Sequence, residues 1–353
     1  MVVQTAVNSR QDVEYLAERI ITTLKRPFLV DQREVQLGVS IGIAISGLGQ
    51  RTAGEIYKQA DLALYTTKTL RRGSYQFFEP SMDDAFKQAN EIRSDLLGAV
   101  ARNELSLVFQ PILRTMDLMV VGAEALARWL HPERGNVPPD RFIPIAEETG
   151  CIIEIGEWVL REACRVAVTW PEHISLSVNV SPKQISQPNF HDVVADILAT
   201  AGLPADRLLL EITETIFFSS STTIRRTLQE LMEMGVRMVL DDFGTGYSSL
   251  SYLDSFEFQK IKIDRSFITK ISDAKEPMPI LEAIMGLSRG LALTVTAEGI
   301  ETEAQLEYLK LIGCQEVQGY LLGRPMPERE FTKRISDPAK KLMPMEAPAK
   351  KFR

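Results

Sequence analysis

"MVLDDFGTGYSSL", residues 238–250, runs from an apolar stretch into two adjacent carboxylates and then into small and hydroxyl-bearing residues. Side by side, Asp241 and Asp242 repel each other, so their adjacency calls for a strongly charged cation or for a solvated loop. The apolar residues ahead of the pair form one of eight strand-like runs: 105–112, 119–129, 174–180, 207–213, 236–242, 258–264, 291–299 and 314–321. Each run is followed by a helical stretch. Eight such repeats over about 230 residues predict a TIM-type (β/α)8 barrel, placed at residues 96–335.

The sequence ahead of the barrel has a different rhythm. "RQDVEYLAERIITTL" (10–24) has helical apolar spacing at Val13, Leu16, Ile20 and Leu24, and 33–46 reads as one strand rich in β-branched residues. A second helix over 52–70 ends before Gly73, and 74–80 is a short strand. Residues 1–85 are thus expected to form a small α+β segment, with 86–95 a helical linker and the aperiodic, Lys- and Pro-bearing 336–353 a flexible tail.

Composition narrows the chemistry. At 353 residues with 45% hydrophobic and 25% charged residues, the chain fits one large and one smaller globular piece. A net charge of -7 argues against DNA or RNA polymer as a partner. Three cysteines at no metal-ligand spacing point to a reducing compartment. Three histidines leave no room for histidine-rich zinc chemistry or a Ser-His-Asp triad. No apolar stretch approaches the ~20 residues of a membrane span, so a cytoplasmic protein, or the cytoplasmic part of a membrane-tethered sensor, is expected.

Catalytic side chains of such barrels come from the carboxyl ends of the strands. There the chain places Glu124, Asn179, Glu211, Asp241 with Asp242, Lys262 with Asp264, Glu298 and Gln318. Each has a bland reading by itself: a lone Glu as a rim residue or helix cap, Asn179 as a turn residue, Lys262 as the ion-pair partner of Asp264. Seven positions of one chemical kind at one end of a barrel carry more weight than any member. The ligand set is oxygen-only, which suits Mg²⁺ or Mn²⁺. Two such ions can clamp the attacking and leaving oxygens of a phosphoryl transfer, with Lys262 beside an anionic substrate or a metal-bound water. The two aspartates would normally face opposite sides of a strand, and a strand end breaking into a loop lets both turn to the barrel mouth.

"EALARW" (124–129), "NVSPKQ" (179–184), "EITE" (211–214), "DDFGTGYSSLSYL" (241–253), "KIDRSF" (262–267), "AEGIE" (297–301) and "QGYLLGRPMP" (318–327) resemble the EAL-domain phosphodiesterases in order and spacing over roughly residues 90–335. That resemblance implies hydrolysis of cyclic di-GMP to linear pGpG with two Mg²⁺ or Mn²⁺ ions, in a barrel with one strand often running against the rest. It implies that Glu124, Asn179, Glu211 and Asp241 hold one ion, and that Asp241 is shared with a second held by Asp242 and Glu298. Lys262 would act on the nucleophilic water and Asp264 support the metal shell; Arg128, Gln110 and Gln318 would contact substrate. Glu214 would anchor the loop 243–253, in which Gly244 and Gly246 permit unusual backbone angles. A homodimer through the barrel is a further implication. Thr296, Leu322, Gly323 and Gln259 depart from the usual residues without removing a catalytic group.

"SIGIAI" (40–45), "ADLALYTTK" (60–68) and "YQFFEP" (75–80) resemble the second half of a GGDEF domain without the GGDEF signature itself. This half would lack cyclase residues, keep Lys68 as a structural residue, and leave a sheet edge or apolar surface exposed. Two other roles stay open: a catalytically weak cyclic di-GMP receptor, and a regulatory or dimerisation role for residues 1–85.

Overall fold

The apolar runs close into a ring. A computed structural model describes residues 9–30, 33–46, 52–70, 73–218, 222–244, 256–273 and 276–336, which fall into two units, Met1–Ser94 and Asp95–Arg353.

In the first unit, helix α1 (Arg10–Leu24) starts at a capping box: Ser9 Oγ accepts from the Asp12 amide, and the Asp12 carboxylate accepts from the Ser9 amide. Strands β1 (Phe28–Val30) and β2 (Arg33–Val35) pair antiparallel, and β3 (Ile41–Ile43) pairs in parallel with β4 (Tyr75–Phe77). Helix α2 (Ala53–Leu70) lies on β3, and a Cβ at Gly42 would sit 2.1 Å from the Ala60 carbonyl oxygen, so glycine is what permits the approach. The single strand expected over 33–46 is two strands, separated by a segment containing Gly38, a residue that weakens strands. The expected helix at the linker is α3 (Pro80–Leu96), opened by a proline at its first position. Leu29, Leu37, Ile45 and Tyr57 are exposed, as is Lys68.

In the second unit, β5 (Leu105–Arg114), β6 (Val120–His131), β8 (Ser175–Asn179), β9 (Leu208–Thr213), β10 (Arg237–Phe243), β11 (Lys260–Ile263), β12 (Thr294–Ala297) and β13 (Glu316–Val317) pair in that order, and β13 returns to β5. The eight strands form a closed barrel. All are parallel except β5, antiparallel to both β6 and β13. Short β7 (Gly135–Val137) and β14 (Met326–Pro327) extend the sheet from β6 and β5.

Two expectations need correction. No helix separates the first two barrel runs; β5 and β6 are joined by a tight turn, where Asp117 accepts from the Met119 amide and the Arg114 guanidinium and Leu118 takes a positive φ of 58°. Short polar turns of this kind suit antiparallel pairing, whereas a helix crossover suits parallel pairing. The later strands are also shorter than the apolar runs that announced them, because those runs continue into strand-to-helix turns.

Helices pack outside the ring. Helix Ile152–Ala167 buries Ile155, Val159, Leu160 and Ala163 and ends at a buried cation: the Arg207 guanidinium donates to the carbonyls of Ala167 (2.9 Å) and Ile174 (2.9 Å). Arg207→Met would take this donor from the buried Ile174 carbonyl and leave the Ala167 carbonyl only the Trp170 amide. A loss of about 2–4 kcal/mol of unfolding free energy is expected in urea denaturation; a change below about 0.5 kcal/mol, the scale of a surface substitution, would contradict it. Cys151, Cys164 and Cys314 are free thiols. No helix among the described residues is long and apolar enough to cross a membrane.

Candidate active site

Lys262 points into the barrel from β11 and is 1% exposed. Its Nζ lies 2.6 Å from Glu298 Oε1, 2.8 Å from Glu211 Oε2, 3.2 Å from Glu124 Oε2 and 3.7 Å from Asp241 Oδ1. Four strands thus bring four carboxylates to one ammonium. Burial works against the charged lysine, but the four carboxylates outweigh it and hold its pKa well above the ordinary value.

The carboxylates are not equivalent. Glu124 is pushed up by burial, yet the Lys262 ammonium and donors from Gln318 and Asn179 outweigh this and hold it below the usual range. Asn179 Nδ2 donates to Glu124 Oε1 at 2.7 Å, and Gln318 Nε2 donates to Glu124 Oε2 at 2.8 Å. Glu211, 1% exposed, is driven well above its ordinary value by burial and by the charges of Glu124 and Asp241. Burial likewise raises Glu298 to about 7. Four carboxylates around one ammonium leave surplus negative charge, which adds to burial in raising Glu211 and Glu298.

The adjacent aspartates sit at a bulge. Leu240 pairs with Ile261 and Phe243 with Ile263, so β10 spends one more residue than β11 over this interval. Asp242 takes the left-handed conformation (φ 53°), unusual for a non-glycine residue. Asp241 therefore stays buried toward Lys262 while Asp242 is exposed beside it. The Asp242 carboxyl is raised, by desolvation and by Asp241 and Asp264.

A cleft of about 240 Å³ opens over the cluster, lined by Gln110, Glu124, Asp241, Lys262, Glu298 and Gln318 together with Leu126, Arg265, Gly299, Glu301, Gly319 and Tyr320. Gln318 Nε2 reaches Gln110 Oε1 at 3.2 Å, and Gln110 Nε2 donates to the Gly323 carbonyl. Gly299 has a φ of 72°, and a Cβ there would lie 2.4 Å from Arg265 Cγ, so its bareness leaves space for Arg265.

Other expected site residues lie apart from the lining. Arg128 is on the Glu124 face of β6, two steps beyond Leu126, and donates to the Ala127 carbonyl. Asp264 does not pair with Lys262; it caps the helix Arg265–Ile268, accepting from the Ser266 amide at 3.0 Å. Glu214, buried after β9, accepts from the Gly244 amide at 3.0 Å, at the start of the loop it was expected to anchor. Residues 245–255, including Gly246 and the rest of that loop, lie outside the described residues. Arg265, Glu301 and Tyr320 lie within the motifs 262–267, 297–301 and 318–327, but none of them was assigned a role from sequence.

Among the described residues, no three acidic, histidine or cysteine side chains converge as a metal-holding group; the oxygens turn to the Lys262 ammonium instead. The residues nevertheless fit hard divalent cations: the donors are oxygens, the charge is in surplus, and the buried Glu211 Oε1 has no hydrogen-bond partner.

Residues 93–325 match the sequence profile of the EAL domain, and residues 1–74 that of the diguanylate cyclase, GGDEF domain. The bifunctional diguanylate cyclase/cyclic di-GMP phosphodiesterase MucR of Pseudomonas aeruginosa is 39% identical over 324 residues, 91% of this chain and 47% of that protein. The cyclic di-GMP phosphodiesterase NbdA of the same species is 37% identical over 320 residues, 90% of this chain and 41% of that one. The chain thus spans less than half the length of these curated relatives. A solved structure described as the PaMucR phosphodiesterase, c-di-GMP complex, is 41% identical with a TM-score of 0.65, covering 68% of this chain and 99% of that one. The barrel with its single reversed strand, the inward carboxylates and the matched profile agree: this chain belongs to the EAL domain family, with a GGDEF-family segment on its N-terminal side in sequence.

Proposed function

We propose that this chain hydrolyses cyclic di-GMP to linear pGpG with two Mg²⁺ or Mn²⁺ ions. The observation that carries this is the set of four carboxylates gathered on one buried ammonium beneath an open cleft. MucR and NbdA bear the names of cyclic di-GMP phosphodiesterases, which supports the choice of substrate. Glu124, Asn179, Glu211 and Asp241 would hold one ion, and Asp241, Asp242 and Glu298 the other. The ions, when bound, would polarise the phosphodiester and supply a nucleophilic water.

The chain's own residues do the rest. Lys262 stays protonated and offsets charge at the reacting phosphate. Gln318 holds Glu124 and, through Gln110, ties β13 to β5 across the cleft floor. Arg128 offers its guanidinium to a substrate phosphate from the same strand face as Glu124, and Asp264 fixes the turn after Lys262. Glu214 fixes the entry to the loop at Gly244. The protein would act in the cytoplasm, as a homodimer through the barrel, with residues 1–85 regulating it.

Product analysis by chromatography tests this directly: pGpG should accumulate from cyclic di-GMP with Mn²⁺ present, and its absence with folded protein would refute the reading. A pH dependence follows as well. Below pH 7 a cation that takes the Glu298 carboxylate must displace a proton. Calorimetric Mn²⁺ affinity should therefore rise from pH 6 to pH 8, by about tenfold for a single released proton. In Glu298→Gln that slope should lessen. A pH-independent wild-type affinity would contradict the assignment.

A further inference from the structure

Below the site, three neighbouring strands carry a second polar tier. Lys260 precedes Lys262 by two on β11, Thr296 of β12 precedes Glu298 by two, and Glu316 of β13 precedes Gln318 by two, Glu298 and Gln318 each standing one residue past the strand end. Two steps along a strand return to the same face, so each lower residue points into the barrel under a site residue. Lys260 Nζ lies 2.5 Å from Glu316 Oε2, and Thr296 Oγ1 donates to the same oxygen at 2.8 Å. Lys260 and Thr296 are 7% and 0% exposed. Thr296, one of the departures from the family's usual residues, thereby has a function for its hydroxyl.

Charge makes this arrangement consequential. Strand β11 sends two lysines to one barrel face, yet only Lys262 sits among the site carboxylates. A buried ammonium without a partner turns to the nearest anions. For Lys260 those are the carboxylates one tier up, a step of about 7 Å along a strand and within the reach of a long flexible side chain.

We propose that Glu316, aided by Thr296, is a positioning residue that holds the Lys260 ammonium away from the site, leaving Glu124, Glu211, Asp241 and Glu298 to Lys262 and to divalent cations. This rests on the cation-dependent reading above.

The test uses the full chain and Mn²⁺ alone, followed by calorimetry without substrate, with hydrolysis measured in parallel. Glu316→Gln frees Lys260 at nearly constant shape. Its Mn²⁺ dissociation constant is expected to rise about tenfold, the scale at which residues behind metal ligands act. The Mn²⁺ concentration for half-maximal hydrolysis should rise in step, with KM for cyclic di-GMP nearly unchanged. Lys260→Met combined with Glu316→Gln should bring Mn²⁺ binding back toward wild type, a rescue that a merely structural pair would not give. Wild-type Mn²⁺ binding in Glu316→Gln, or no recovery in a folded double variant, would overturn the proposal. Should Glu316→Gln not fold, Thr296→Val decides: weaker Mn²⁺ binding supports the role and unchanged binding overturns it. If the wild-type chain binds Mn²⁺ but does not hydrolyse cyclic di-GMP, the proposed function fails, while this inference stands or falls on the binding data alone.

Discussion

Lys262→Met is expected to remove turnover and to destabilise the barrel at the same time. The substitution leaves Glu124, Glu211, Asp241 and Glu298 facing one another without their shared ammonium. Removing one partner of a buried ion pair costs about 3–5 kcal/mol. The loss should be read in EDTA by urea denaturation. Its pH dependence has a definite sign. With the ammonium gone, the buried carboxyls bind protons more tightly in the folded chain than in the unfolded one. Such groups stabilise the fold at low pH and lose that contribution as pH rises, so the deficit should grow from pH 6 to pH 8. Mn²⁺ should restore part of the stability by binding the folded state. The turnover number should nevertheless stay down by about 10²–10³, the usual worth of a group that stabilises charge at the reacting centre. A variant with wild-type stability in EDTA would show that Lys262 is not the counter-charge of the cluster.

The second large effect is expected at Glu124. Its two oxygens collect donors from Asn179, Gln318 and Lys262, residues of three different parts of the ring. Glu124→Gln keeps the shape but replaces a charged oxygen by an amide that cannot accept a hydrogen bond. At least one donor then loses its acceptor or faces another donor, and the site loses one negative charge. Turnover should fall by at least about 10³, in keeping with loss of charge stabilisation at a reacting centre. Thermal melting should show the fold still cooperative. Turnover within about tenfold of wild type, an effect of only 1.4 kcal/mol, would remove Glu124 from the proposed machinery.

Much of the site was legible because a strand repeats every two residues and a barrel gathers strand ends. Glu124, Glu211, Asp241, Lys262 and Gln318 stand out as polar residues in apolar runs, and the fold brings them together. The partners of Lys262 were less legible. Sequence proximity suggested Asp264, whereas the ammonium reaches Glu124 and Glu211, 138 and 51 residues away, and Asp264 caps a helix instead. Such pairings follow from ring closure, which local pattern does not encode. The turn between β5 and β6 was hidden for a related reason: both runs are apolar, and strand direction is not written in apolar pattern. The two aspartates show the limit most clearly. Their adjacency announced a special backbone, but the bulge opposite β11 and the positive φ of Asp242 appear only with the paired strand in place. Arg265, Glu301 and Tyr320 reach the cleft from turns beyond the strand ends, where the two-residue period no longer applies.

The central claim is that these carboxylates serve divalent cations in cleaving cyclic di-GMP. The initial rate of pGpG formation, measured with Mn²⁺, then with excess EDTA, then after Mn²⁺ is returned, tests it most directly. The expected result is turnover, its loss, and its recovery in the same sample. Undiminished turnover in EDTA, or none at any Mg²⁺ or Mn²⁺ concentration with the protein folded, would contradict it.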